Sequence, residues 1–105
     1  MTNKEIIEIF EDIFFEDDFA ETSRLHSPEI SLNKFGNVLV CLYGGMNGFG
    51  QFKDYLYDLY ELINCLEGNN IEAYIVNWDI DALDDVFKVT LELKDLKESY
   101  KDGSE

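Results

Sequence analysis

The chain has 105 residues, 46% of them hydrophobic and 14% aromatic, enough for one domain around one modest core and too little for two. It carries 23 Asp and Glu against 8 Lys and Arg, a formal net charge of −15, so nucleic acid and anionic membranes would repel it and a basic partner would be drawn to it. The apolar content exceeds that of a disordered acidic tail, so the chain is expected to fold.

Thr2 followed by Glu5 has the spacing of a capping box, and Ile6, Phe10, Ile13 and Phe14 follow at helical spacing on one side. At ~100° per residue Glu5, Glu8, Asp12 and Glu16 fall within an arc of about 80° on the opposite side. Asp17 would turn back toward the apolar side, which predicts an end or bend near residue 16. Residues 21–28, with Ser23, Ser27 and Pro28, lack periodicity and read as a loop.

Two short strands are predicted at 29–32 and 37–43, joined by the turn Asn33-Lys34-Phe35-Gly36, in which Gly36 supplies a left-handed position. The run VLVCLY is apolar throughout and is expected to be a central strand buried on both faces. A glycine-rich connection spans 44–50. A second helix follows, with Phe52, Leu56, Leu59, Tyr60, Ile63 and Leu66 as its apolar series and Gly68 followed by Asn69-Asn70 as its stop.

A third strand is predicted at 71–78 and a fourth at 86–93, with Phe87, Val89, Leu91 and Leu93 inward and Lys88, Thr90 and Glu92 outward. Between them lies an acidic turn, 79–85. The polar tail 94–105 reads as a short helix or frayed end, outside a domain of residues 1–93 that holds 19 acids against 5 bases. The order α-β-β-α-β-β predicts an α+β fold: a four-stranded, mostly antiparallel sheet packed against two helices.

No arrangement of residues points to catalysis. The glycine loop fits neither phosphate-binding spacing: from Gly48 the third glycine of GxGxxG falls on Lys53, and Gly50 is followed by Gln51 where GxxxxGK needs lysine. A calcium loop starting at Asp79 would need an oxygen ligand at Leu83 and a glutamate at Thr90. His26 is the sole histidine, which argues against a structural zinc site. Cys41 and Cys65 sit in apolar runs and read as buried free thiols, which places the chain in a reducing compartment. The start MTNKEIIEIF lacks a basic n-region leading into an apolar stretch, so neither a signal peptide nor a membrane span is expected. The expected setting is the cytoplasm of a bacterial or phage-infected cell, and no cofactor or metal is expected.

In charge, size and lack of catalytic chemistry the chain resembles, in kind, the acidic inhibitors that imitate nucleic-acid phosphates: phage-borne anti-restriction, anti-CRISPR and uracil-glycosylase inhibitors. That resemblance implies a non-enzymatic inhibitor that binds a basic nucleic-acid-handling protein and no nucleic acid directly. The residues expected to carry it are Glu5, Glu8, Asp12 and Glu16 on the first helix, and Asp79, Asp81, Asp84 and Asp85 in the acidic turn. Tyr57, on the polar side of the second helix, and Met46, Asn47 and Phe49 in the glycine loop are expected to add contact area. Two other readings share the composition. One is an immunity protein that neutralises a nuclease toxin, and the other a small adaptor or homodimer that self-associates through the second helix.

Overall fold

The structure, a computed structural model, describes residues 1–16, 25–45, 51–81 and 86–96. The predicted element order holds: α1 (Asn3–Glu11) continues as a single π-helical turn (Asp12–Glu16), followed by β1 (His26–Leu32), β2 (Val38–Gly45), α2 (Gln51–Gly68), β3 (Ile71–Asp81) and β4 (Val86–Asp95). The strands form one antiparallel sheet in the order β1-β2-β4-β3. α1 lies over β2 and β4, and α2 lies over β3. This is an α+β fold of two layers.

α1 starts where the capping box requires. The Glu5 amide donates to Thr2 Oγ1 (3.2 Å), while the Thr2 amide donates to Glu5 Oε1 (3.1 Å), satisfying two orphan donors at once. Ile6, Phe10, Ile13 and Phe14 are buried as their spacing predicts, with the Phe10 and Phe14 rings stacked at 5.5 Å. They meet Val38, Val40 and Leu42 of β2 and Phe87, Val89, Leu91 and Leu93 of β4 in the core. Burying one phenylalanine of this kind contributes about 1.5–3 kcal/mol.

The hairpin β1–β2 closes through Asn33. Gly36 N–H donates to Asn33 O (3.0 Å), Asn33 N–H donates to Asn37 O (2.9 Å), and Gly36 sits at φ +82°, the left-handed position predicted for it.

Several expectations need correction. VLVCLY is central but not buried on both faces: Val38, Val40 and Leu42 are buried, whereas Leu39, Cys41 and Tyr43 are only half-buried, because both helices cover the same side of the sheet. β1 begins at His26, inside the segment read as a loop; a bulge between His26 and Glu29, with Ser27 at φ +55°, absorbs the irregularity that hid it. Gly44 and Gly45 belong to β2, and a Cβ on Gly44 would lie 2.5 Å from Tyr55 Cε1. Glycine there lets the Tyr55 ring, stacked on Phe87 at 5.5 Å, lie flat on the strand.

The buried series of α2 is Tyr55, Leu59, Leu62 and Leu66, and Tyr60 is turned to solvent. α2 ends at Gly68, at the predicted stop, and the left-handed residue is Asn70 at φ +65°. Asn69 secures the end with its amide on Leu66 O (2.9 Å) and its side chain on Cys65 O (2.8 Å). Cys65 is exposed and Cys41 half-buried, against the expectation of two buried thiols; both are free. β4 extends to Asp95, whose buried carboxylate lies 2.6 Å from the Met1 amino group, so the ordered body reaches past residue 93. Among the described residues no helix is long and apolar enough to cross a membrane.

Candidate functional site

The residues of α1 divide by angle into three groups. Ile6 and Phe10 point into the core, with Ile13 and Phe14 of the following turn. Glu5, Glu8 and Asp12 stand exposed on the opposite side, as predicted. On the flank toward β1 lie Lys4, Ile7 and Glu11, with Glu8 shared between flank and outer side.

The four predicted carboxylates are not equivalent. Glu5 is tied into the cap, and the Thr2 amide and then the Thr2 hydroxyl hold its carboxyl below the usual glutamate value. Glu8 and Asp12 accept no hydrogen bond and join no ion pair among the described residues, and the same is true of Glu11. Glu16 closes the π-helical turn, where each residue advances by less than an α-helical step, so its bearing cannot be extrapolated from 100° spacing; its side chain lies outside the described residues. The outer side thus presents Glu8 and Asp12, one turn apart and ~6 Å along the axis.

The second acidic group is placed differently from its prediction. Asp79 and Asp81 belong to β3, not to a turn, with Asp79 paired to Lys88 and Asp81 to Val86 across the β3–β4 ladder. Lys88 lies over the Tyr43 ring (5.7 Å) on the face of the sheet away from the helices. Asp79 and the α1 acids therefore sit on opposite sides of the sheet and form no continuous surface. The alternation at 86–93 was legible, but the apolar Trp78 and Ile80 obscured how far β3 continues, and a bulge between Ile75 and Asn77 shifts its register. Asp84 and Asp85 lie outside the described residues, as do Met46, Asn47 and Phe49.

Tyr57 is exposed at 71%, as expected, and Tyr60 joins it at 56%. On the open face of the sheet several polar side chains meet within the fold. Glu92 Oε2 accepts from Asn33 Nδ2 (2.6 Å) and Asn37 Nδ2 (2.9 Å), and Lys94 lies over Tyr74 (5.7 Å). On the same face the Cys41 side chain, then burial and the charge of Glu29, push the Tyr43 hydroxyl up to about 12. Among the described residues no group of three or more His, Cys, Asp or Glu is arranged to hold a metal ion.

Sequence reasoning missed a groove of about 520 Å³ between α1 and β1, whose walls include Ile7, Glu8, Glu11, Ile30 and Leu32. Among the described residues α1 lies over β2 and β4 and α2 over β3, leaving Ile30 half-buried and Leu32 56% exposed. The available signal was the Ile7/Glu11 pair at i, i+4, which lies off both the core side and the acidic arc.

Comparison of the chain with protein-family models, with curated protein sequences and with solved structures returned no match.

Proposed function

We propose that the protein is an acidic inhibitor that occupies the nucleic-acid groove of a basic nucleic-acid-handling protein, with the outer side of α1 standing in for a phosphate backbone. The observation that carries this reading is the set Glu8, Glu11 and Asp12: three exposed carboxylates with no ion-pair partner among the described residues, on an element whose sole base is Lys4. Carboxylates at such spacing match, in order of magnitude, successive phosphates along one strand, so several Lys or Arg residues of a groove can be met at once. The body's net charge adds long-range steering. The apolar side of the first helix, anchored by Phe10 and Phe14, holds the row in place.

The test is affinity capture from a bacterial lysate, identification of the partner by mass spectrometry, and competition. The protein should displace DNA or RNA from the captured partner, show no gel shift with nucleic acid alone, and bind more weakly as salt rises. Direct binding to nucleic acid, or a complex indifferent to salt, would overturn the reading. A captured nuclease toxin would identify the immunity-protein form of the same mechanism. Exposed Tyr57 and Tyr60 favour a second reading, self-association through α2, which light scattering distinguishes by showing a dimer.

A further inference from the structure

Among the described residues β1 is an edge strand, and its unpaired edge borders the groove beside α1. The Asn33 N–H bond to Asn37 O fixes the ladder's phase: alternating back from it, Ser31–Leu39 and Glu29–Cys41 are the bonded pairs. The N–H and C=O groups of Ile30 and Leu32 are therefore directed away from β2, toward the open edge. Beyond Glu29 the edge is blunted, since Pro28 has no N–H and Ser27 kinks the strand at its bulge. A short template remains, and its helix-side wall is the groove.

The floor of that groove is apolar, from Ile7, Ile30 and Leu32, while its rim carries Glu8 and Glu11 toward one end and Lys4 toward the other. A long basic side chain suits both parts. Its aliphatic stem covers the isoleucine and leucine surface, and its charged head reaches the rim carboxylates. An acidic or purely apolar segment would leave those carboxylates unmatched.

We propose that the β1 edge and the α1–β1 groove receive an extended Lys/Arg-rich segment of the basic partner as an added strand, with main-chain bonds to Ile30 and Leu32 and basic side chains running to Glu8 and Glu11. This rests on the reading of the protein as a binder of a basic partner, and it adds a second, backbone-directed contact beside the acidic row.

The probe is a short peptide of alternating arginine and threonine, with an alternating glutamate and threonine peptide as control, followed by amide hydrogen exchange in the intact protein. The arginine peptide should slow exchange at the Ile30 and Leu32 amides at least tenfold, and the glutamate peptide should not. Leu32→Pro removes an outward N–H without touching the β2 ladder and should abolish protection at Ile30 while leaving every α1 charge in place. Glu8→Lys with Glu11→Lys, both at exposed helix positions, should abolish binding independently of any effect of proline on folding. Binding without protection at these amides, or no binding at millimolar peptide, overturns the added strand. The broader reading fails separately, when a captured partner is insensitive to salt or to reversal of Glu8 and Asp12.

Discussion

On the open face of the sheet, Glu92 is held by two asparagine side chains and Lys88 and Lys94 lie over tyrosine rings; on α1, Glu8 and Asp12 of the outer side and Glu11 of the flank face solvent with no such partner among the described residues. The same residue types are used in opposite ways. On the sheet, the Glu92 carboxylate is occupied within the fold by hydrogen bonds from Asn33 and Asn37, which stabilises the hairpin. Around Glu8 the neighbours at three and four residues are Glu5, Glu11 and Asp12 beside Lys4, so charge is left over for a partner. Acidity spread through a composition becomes informative only when the structure shows which carboxylates are already occupied.

The largest effects are expected where α1 meets the core. Phe10→Ala should lower unfolding free energy by about 3–5 kcal/mol in urea titration, since the ring is fully buried and stacked on Phe14. A loss below about 1 kcal/mol would mean that α1 is not anchored as described.

Next comes the open face of the sheet. Glu92→Ala leaves Asn33 and Asn37 without their acceptor at the hairpin and should cost about 1–3 kcal/mol, whereas Glu8→Ala should stay within about 0.5 kcal/mol of wild type. Equal effects at the two sites would erase the distinction between them.

Thr2→Ala removes the cap acceptor and should cost about 1 kcal/mol, and it should release Glu5 only in part toward the usual glutamate range, because the backbone amide at position 2 still donates to it. Glu5 is held below its ordinary value in the folded state, so its contribution is present above that value and fades as pH falls through the lowered one. The opposite sign applies on the open face. Tyr43 is raised to about 12, so its contribution is complete below the ordinary tyrosine value of about 10 and is lost as pH rises toward 12. Denaturation midpoints against pH should show an alkaline limb that Tyr43→Phe flattens, with tyrosinate absorbance following the same range. An unchanged limb would mean that Tyr43 does not carry the alkaline loss.

The elements that follow short-range rules were legible in the sequence: the Thr2/Glu5 cap, the Gly36 turn, and the alternation from Phe87 to Leu93. What escaped depends on tertiary placement. VLVCLY looked doubly buried because an apolar run does not reveal that both helices lie on one side. Tyr60 was assigned to the core of α2, yet the helix is rotated to bury Tyr55, whose ring needs the missing Cβ of Gly44. Asp79 read as turn because the continuation of β3 past its bulge shows only in pairing with Lys88. On the candidate site, the bearings of Glu8 and Asp12 followed from helical period alone, whereas Glu11 and the groove required knowledge of where β1 lies. Asp95, assigned to the polar tail, is buried against the Met1 amino group, a long-range contact that sequence spacing does not show.

The most direct test of the central claim compares two charge reversals of equal size in binding to the captured partner. Glu8→Lys with Asp12→Lys changes the outer side of α1; Glu61→Lys with Glu67→Lys changes exposed positions of α2 by the same amount. Both pairs should leave stability within about 0.5 kcal/mol per substitution. The α1 pair is predicted to weaken binding by more than ~10-fold, equivalent to about 1.4 kcal/mol, and the α2 pair by less than ~3-fold. Equal weakening by both pairs would mean that net charge alone attracts the partner, and weakening by the α2 pair alone would place the interface on the tyrosine side of that helix; either result contradicts the account.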